Sequence, residues 1–178
     1  MAELNVSAYE QIVDSYAKES TNFLFHNQGN EHALVVFKSI FKNATKRIRI
    51  AAGSLANMEV ANNGEYIEAL KGFLDRPGAK LSILLSDYTA DLSLPLFSML
   101  SQHEAYRNGR VMIADGAGRN FRRNGEICHF CTADSHMYRV ETDIQNRKAE
   151  CNFGDKSMTE FLEDLFDKAF AKGGAVTL

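Results

Sequence analysis

The residues best suited to chemistry lie in one short stretch, EICHFCTADSHMYRVETD, which runs from Glu126 to Asp143. It contains two histidines, two cysteines and an Arg/Glu pair, and its alternation of apolar and polar residues is typical of a β-hairpin. Side chains of these types can transfer protons, attack an electrophile, bind a metal, or form a polar patch on a sheet.

Two-residue spacing on a strand places side chains on the same face of a sheet. The segment Ala133-Asp134-Ser135 has turn chemistry and divides the stretch into two strands. On the second strand Arg139 and Glu141 share one face, which predicts an ion pair, a subunit contact or a ligand site. On the first strand four residues share a face: Ile127, His129, Cys131 and Ala133.

The spacing Cys128-x-x-Cys131 is also found in metal and redox sites. On a strand, however, residues three apart point to opposite faces, and no second ligand pair follows at zinc-finger spacing. We therefore expect no metal site and no cofactor.

A second feature is a concentration of arginines just before the hairpin. Between residues 107 and 123 there are five arginines and one acid, Asp115. Arg119, Arg122 and Arg123 lie in the segment GAGRNFRRNGE and could bind phosphates, and the interleaved Phe121 could stack on a base. A solvated loop without a ligand is the alternative.

The composition is that of an ordinary globular domain. The chain has 178 residues, 45% hydrophobic residues and a net charge of −3, so its overall charge gives no case for nucleic-acid binding. No apolar run reaches the roughly 18 residues that a membrane span needs, and we expect no membrane association. Three cysteines and an N-terminus without signal-peptide features predict a cytoplasmic protein.

The pattern of elements predicts an α/β fold, because helical and strand periodicities alternate along the chain. Asn30, Asn63 and a Ser157/Glu160 capping box are the predicted helix starts. The acidic residues of the last helix, Glu163 and Asp167 among them, predict a solvated face. Helices are predicted near 8–19, 30–41, 63–76, 95–107 and 157–170, and strands at 47–53, 80–87, 110–115, 126–133, 136–142 and 148–153.

The segments TKRIRIAAGSL and EYIEALKGFLDRPGAKLSILLSD resemble the first strand, helix and second strand of the phospholipase D-like superfamily. Six residues match that pattern: Arg76, Gly78, Leu81, Ile83, Leu84 and Asp87. The resemblance implies a phospholipase D-like half-domain, with a mixed sheet flanked by helices and a late antiparallel hairpin. It divides the chain into an N-terminal helical extension (1–30), the domain itself (31–172) and a tail (173–178).

The superfamily's signature is H-x-K-x4-D followed by a G-S-x-N-like segment. By spacing, the matching histidine is His136, with Asp143 as the aspartate. By topology it is His129, with Cys131 at the lysine position, and we favour this alignment. Neither alignment supplies the lysine, although Arg139 could replace it in space. Asn152 is at best a weak match to the asparagine of the G-S-x-N segment.

In that superfamily two histidines meet at one site, and members with a single half-site form it by homodimerisation. The resemblance therefore implies a homodimer. The leading hypothesis is a catalytically degenerate module that binds a phosphate-bearing ligand, either nucleic acid or a nucleotide, through Arg139, Glu141 and the arginine loop. The alternatives are an active nuclease-like phosphodiesterase that uses His129, and a structural or regulatory dimerising subunit.

Overall fold

One mixed β-sheet organises the chain in the computed structural model, which describes residues 5–178. The helices are α1 (Val6–Glu19), α2 (Asn30–Asn43), α3 (Gly64–Leu74), α4 (Pro95–Gln102), α5 (Glu104–Arg107) and α6 (Lys156–Phe170). The strands are β1 (Phe25–Asn27), β2 (Arg47–Ala52), β3 (Lys80–Leu85), β4 (Val111–Asp115), β5 (Phe121–Arg123), β6 (Glu126–Ala133), β7 (Met137–Asp143), β8 (Lys148–Asn152) and β9 (Gly174–Val176).

The strands follow the order β1-β8-β7-β6-β2-β3-β4-β9, and β5 pairs with β6 outside this path. Strands β2, β3 and β4 are parallel, as crossover helices require, whereas β6, β7 and β8 form an antiparallel meander. The predicted α/β fold with a late antiparallel hairpin is therefore confirmed.

The two faces of the sheet carry separate apolar cores. Helices α1 to α5 pack on one face, which we term the cavity face, against residues such as Ile50, Leu81 and Cys131. Helix α6 packs on the other face, where Leu162 and Phe166 contact Phe130 and its neighbours. Cys128 belongs to the second core and Cys131 to the first, so the two cysteines point in opposite directions, as predicted from strand geometry.

Helix α6 is fixed to the sheet by charge as well as by apolar contact. The guanidinium of Arg49 on β2 donates two hydrogen bonds to the Asp167 carboxylate, both 2.9 Å long, and its Nη1 lies 2.9 Å from Glu163 Oε1. Glu163 is buried. The prediction of a solvated helix face is therefore wrong for Glu163, whereas Asp167 is exposed as predicted, although it pairs with Arg49.

Some predicted element ends need correction. Helix α2 is capped by Gly29, and Asn30 is its first residue. Helix α6 is capped by Asp155, whose side chain accepts from the Met158 amide, and not by the predicted Ser157 capping box. Asn63 does cap α3, because its side chain accepts a hydrogen bond from the Glu65 amide.

Both segments that flank the predicted domain contribute a strand to the sheet. Strand β1 pairs with β8, and β9 pairs with β4, so residues 25–27 and 174–176 close the two edges. The domain boundaries at residues 30 and 172 remain predictions, but the preceding segment is not purely helical and the final one is not a free tail. Within residues 5–178 no helix is long and apolar enough to cross a bilayer.

Candidate functional site

His129 lies where the parallel strands end. Strand β6 runs antiparallel to β2 with Phe130 opposite Ala51, so His129 sits beside the carboxyl end of β2. A Cβ atom built on Gly53 would lie 3.7 Å from His129 Nε2, so the backbone after β2 borders the imidazole. In open α/β sheets the carboxyl ends of the strands are where ligands bind.

A buried network connects this histidine to the next strand. His129 and Glu141 are directly opposite in the β6–β7 pairing, and His129 Nδ1 lies 3.8 Å from Glu141 Oε2. The other carboxylate oxygen, Oε1, lies 3.6 Å from Arg139 Nη2 and 3.4 Å from Arg147 Nη1. One carboxylate thus faces two guanidiniums and an imidazole.

Arg139 is among the most deeply buried large side chains of the described chain, at 2% exposure. Its Nε donates a 3.0 Å hydrogen bond to Asn27 Oδ1 on β1, and its guanidinium carbon lies 4.7 Å from the centre of the Phe37 ring. These contacts hold the guanidinium between Phe37 on α2 and Asn27 on β1, with Nη2 near Glu141.

The protonation states follow from these contacts. Burial raises the pKa of Glu141, but the contacts with His129, Arg139 and Arg147 outweigh that effect, so the pKa lies below its ordinary value. Burial raises the pKa of the Cys131 thiol to about 12, against a smaller opposing effect of Arg139. At neutral pH Glu141 is therefore ionised and Cys131 is neutral.

These side chains line a cavity of about 240 Å³ between the cavity face of the sheet and helices α2 and α3. Its polar lining residues include His129, Arg139, Glu141 and Arg147, together with Asp87 and with Tyr66 from α3. No group of three or more His, Cys, Asp or Glu side chains in residues 5–178 could hold a metal ion.

His136 lies at the opposite end of the hairpin, in the turn between β6 and β7. Ala133 lies four positions after His129, and at a rise of about 3.3 Å per residue that end of the strand is about 13 Å from His129. His136 Nδ1 forms a 2.9 Å hydrogen bond with the Phe153 carbonyl oxygen. The fold therefore brings His129, and not His136, to Arg139 and Glu141.

Asp134, in the same turn, has a structural position. Its carboxylate accepts hydrogen bonds from the backbone amides of Thr45, Lys46 and Arg47 at 2.7–2.9 Å. Partial burial raises its pKa, but these backbone bonds outweigh the burial and the pKa lies below the ordinary value. The carboxylate ties the turn to the start of β2, far from His129.

The arginine loop, the segment that contains Arg119, Arg122 and Arg123, lies near the α6 side of the sheet. Its arginines differ in whether they already have a partner within the protein. Arg119 is exposed and lines a cavity of about 280 Å³ together with Phe121, Lys168 and Lys172. Arg122 Nη1 donates to the Gly125 carbonyl oxygen at 2.8 Å, and Arg123 Nη1 lies 2.5 Å from Glu150 Oε2. Phe121 packs edge-on against Phe130, with ring centres 4.8 Å apart.

Asn152 lies away from the His129 network. It is opposite Tyr138 in the β7–β8 pairing, and therefore points to the face opposite Arg139. Its Nδ2 donates to Asn22 Oδ1 at 2.8 Å, and its Oδ1 accepts from the Gly154 amide at 2.9 Å. Its hydrogen-bonding groups thus tie the end of β8 to the loop before β1 and to the turn that follows β8.

Sequence reasoning missed three residues near Arg139 and Glu141: Asn27, which accepts a hydrogen bond from Arg139, Arg147, which pairs with Glu141, and Tyr66, which lines the same cavity. Asn27 is on a strand too short to give a periodic signal, and Tyr66 reads as one apolar position of helix α3. Arg147 comes close to Glu141 because the β7–β8 pairing shifts register between Glu141 and Asp143.

No protein-family model matches this sequence, and no curated protein shows significant sequence similarity to it. Solved structures do share the fold. TrmBL2, an archaeal chromatin protein with a novel mode of DNA binding, superposes with a TM-score of 0.60 and 16% identity over 96% of this chain. This chain spans 62% of the length of TrmBL2.

Two further structures match along their whole length. Nuc from Salmonella typhimurium, a phospholipase D family member, has a TM-score of 0.58 at 11% identity, over 88% of this chain and 100% of Nuc. NucT from Helicobacter pylori has a TM-score of 0.57 at 11% identity, over 86% of this chain and 100% of NucT. The predicted phospholipase D-like fold is therefore confirmed.

Proposed function

We propose that this chain is a catalytically degenerate phospholipase D-like module that binds nucleic acid, or a nucleotide, as a homodimer without hydrolysing it. One observation carries the proposal. Two residues after His129, on the same face of β6, stands Cys131, which is 1% exposed and carries a neutral thiol. The resemblance to the superfamily calls for a lysine there.

That replacement matters because phosphoryl transfer depends on fixed positive charge around the phosphorus. A buried neutral thiol cannot supply it. Arg139 is the nearest substitute, but it is buried against Phe37 and faces Glu141, so a phosphodiester in a polymer cannot reach it. We therefore expect hydrolysis to be absent or very slow.

Nucleic-acid binding is supported by the arginine surface, which we define as Arg119, Arg122, Arg123, Lys168 and Lys172. Arg119 lines two neighbouring cavities, one with Lys168 and Lys172 and a smaller one with Ser86 and His129. Lys168 pairs with Asp164, but Arg119 and Lys172 form no salt bridge within residues 5–178, so their charge is available to a phosphate backbone. DNA binding by TrmBL2, a protein of similar fold, is consistent with this role.

Homodimerisation rests on the resemblance, because a single chain holds one half-site. Sedimentation velocity at tens of micromolar, a concentration well above most dimer dissociation constants on an order-of-magnitude basis, measures it directly. We expect a twofold dimer with the 126–142 hairpins near its axis. A monomer across that range would contradict this part of the proposal and leave nucleic-acid binding to be judged by itself.

The first experiment separates binding from catalysis. Hydrolysis of a bis-aryl phosphate and of single-stranded DNA is measured for the natural chain, His129→Ala and His136→Ala. We expect no turnover above background in any of them. Turnover lost only in His129→Ala would establish the alternative, an active phosphodiesterase. That alternative has one observation in its favour, since Glu141 lies near Nδ1 of His129 and could orient the ring.

The second experiment measures binding. Fluorescence anisotropy with labelled single-stranded and duplex DNA is recorded over a range of salt concentrations for the natural chain and for Lys172→Ala. Lys71→Ala is the matched control, because Lys71 lies on α3 and pairs with Asp75. We expect Lys172→Ala alone to weaken binding. If neither DNA nor mononucleotides bind at low salt, the structural-subunit alternative replaces the proposal.

A further inference from the structure

The cavity of about 280 Å³ on the α6 side of the sheet combines positive charge with apolar surface. Its cations are Arg119, from the loop before β5, and Lys168 and Lys172, from the last turn of α6 and the residues after it. No acidic side chain of residues 5–178 lines this cavity. Lys168 pairs with Asp164 outside it at 2.6 Å, so two of the three cations remain without a salt-bridge partner in that range.

The apolar part of the lining is partly uncovered. Phe121, Leu165 and Ala169 line the cavity and are only half-buried. Phe121 packs against Phe130, with ring centres 4.8 Å apart, and still keeps part of its surface exposed. An accessible aromatic ring beside cations is the combination that binds single-stranded nucleic acid, because bases stack on the ring while phosphates meet the positive charges.

The cavity is open to solvent and suits a group of modest size. Its four polar side chains, from Arg119, Asn120, Lys168 and Lys172, are all exposed. Its volume of about 280 Å³ lies just below the range of roughly 300–1,000 Å³ that is typical of sites for drug-sized ligands, and one nucleobase is smaller than such a ligand. The Asn120 amide can both donate and accept, which suits the polar edge of a base.

We propose that this cavity takes up one unpaired base of a single-stranded nucleic acid, with the base against Phe121 and the adjoining phosphates on Arg119 and Lys172. The inference rests on the proposed function and names the substrate class of its arginine surface. The bases of a duplex are paired and stacked, and extracting one costs free energy that a single strand does not pay. A duplex should therefore contact the cations without entering the cavity.

The first test compares three probes by fluorescence anisotropy with the full chain: an oligothymidylate, an abasic strand of the same length, and a duplex. The abasic strand carries the same phosphates without bases, so it measures the electrostatic part of binding alone. We expect the oligothymidylate to bind roughly fivefold to a hundredfold more tightly than the abasic strand, the range expected for one stacked base.

The second test fills the cavity without changing its charge. Ala169→Leu adds an apolar side chain to the lining. We expect it to lower the affinity for oligothymidylate to that for the abasic strand, and to leave the abasic strand, the duplex and the salt dependence unchanged, because a base contact releases no counterions. Ala171→Leu is the matched control, since Ala171 is exposed at the end of the same helix and does not line the cavity.

Phe121→Leu provides a second variant that keeps apolar bulk against Phe130 but removes the stacking ring. We expect it to reduce the ratio of oligothymidylate affinity to abasic affinity, again with an unchanged salt dependence. Thermal unfolding of each variant checks that it is folded. If Ala169→Leu does not fold, this ratio in Phe121→Leu decides, and an unchanged ratio overturns the inference.

The outcomes separate this inference from the proposed function. Equal affinity for the oligothymidylate and the abasic strand would overturn the inference and leave nucleic-acid binding by the arginine surface in place. Equal affinities of Ala169→Leu and Ala171→Leu for the oligothymidylate would do the same. If none of the three probes binds at low salt, the proposed function fails and the inference fails with it.

Discussion

The arginines of this chain include buried and exposed side chains, and their surroundings give the same side chain opposite uses. Arg49 and Arg139 are buried, and within 4 Å Arg49 has two carboxylates and Arg139 has one. Arg119 and Arg122 are exposed and have no carboxylate within salt-bridge distance in residues 5–178. A buried cation must be compensated by the fold, whereas an exposed one remains available to a ligand.

The comparison predicts a large difference between two outwardly similar acid-to-amide changes. Glu141→Gln leaves Arg139 buried without its counter-charge, and we expect a loss of roughly 3–5 kcal/mol in the free energy of unfolding. Glu150→Gln removes the partner of the exposed Arg123, and we expect a change below about 1 kcal/mol. Urea denaturation at neutral pH measures both, and equal losses would contradict the distinction between the two classes.

Asp134 is an intermediate case, because it is half-buried and bonded to three backbone amides. Asp134→Asn keeps the shape but loses the charged acceptor, and we expect a loss of roughly 1–3 kcal/mol. The pKa of Asp134 is lowered in the folded state, so its stabilisation is complete above the ordinary value of 3.8 and disappears as the pH falls through the lower folded pKa. The stability gap between natural chain and variant should therefore be constant near neutral pH and close in acid. A gap that stays open below the folded pKa would show that the backbone bonds do not require the charge.

Short-range patterns predicted much of the fold, because strand alternation and helix caps are local. The faces of Ile127, His129 and Cys131 follow from the two-residue period alone, and so do those of Arg139 and Glu141. The turn at Asp134, which separates His129 from His136 along the hairpin, is also a local signal. The edge strands β1 and β9 were missed, since each has three residues and no periodicity can be read from so few.

The chemistry of the site depended on contacts that no local pattern contains. Asn27 reaches Arg139 from a strand more than a hundred positions away, and Glu163 meets Arg49 through the packing of α6. Which of several arginines becomes buried is decided by the sheet order and by the register shift that brings Arg147 to Glu141. The sequence alone therefore indicated a phosphate-binding segment among the five arginines at 107–123. It did not show that Arg139 is buried, and predicted it only as a possible substitute for a lysine.

Among the exposed cations, Arg119 should contribute most to nucleic-acid binding, because it lines both cavities of the arginine surface. Each phosphate contact on single-stranded nucleic acid contributes about −0.7 to the slope of log affinity against log salt. We expect Arg119→Ala to lower affinity for all sequences alike and to make the slope shallower by about 0.7 per contact. An unchanged slope in anisotropy titrations would place Arg119 outside the interface.

The smallest expected effect is a gain. Arg123 points at Glu150, which accepts its hydrogen bond, so part of its charge is already compensated before any phosphate arrives. Arg123→Ala should therefore weaken DNA binding less than Arg119→Ala does. Glu150→Gln frees the same guanidinium and removes a negative charge from the surface, so we expect affinity to rise about twofold to threefold at low salt, a change of ~0.5 kcal/mol of the size measured for exposed pairs. The gain should vanish in the Arg123→Ala/Glu150→Gln double variant, because the freed cation is then absent, and should shrink as salt screens it. If Glu150→Gln raises affinity equally in both backgrounds, the acid acts through general repulsion of DNA and the pair with Arg123 does not limit binding.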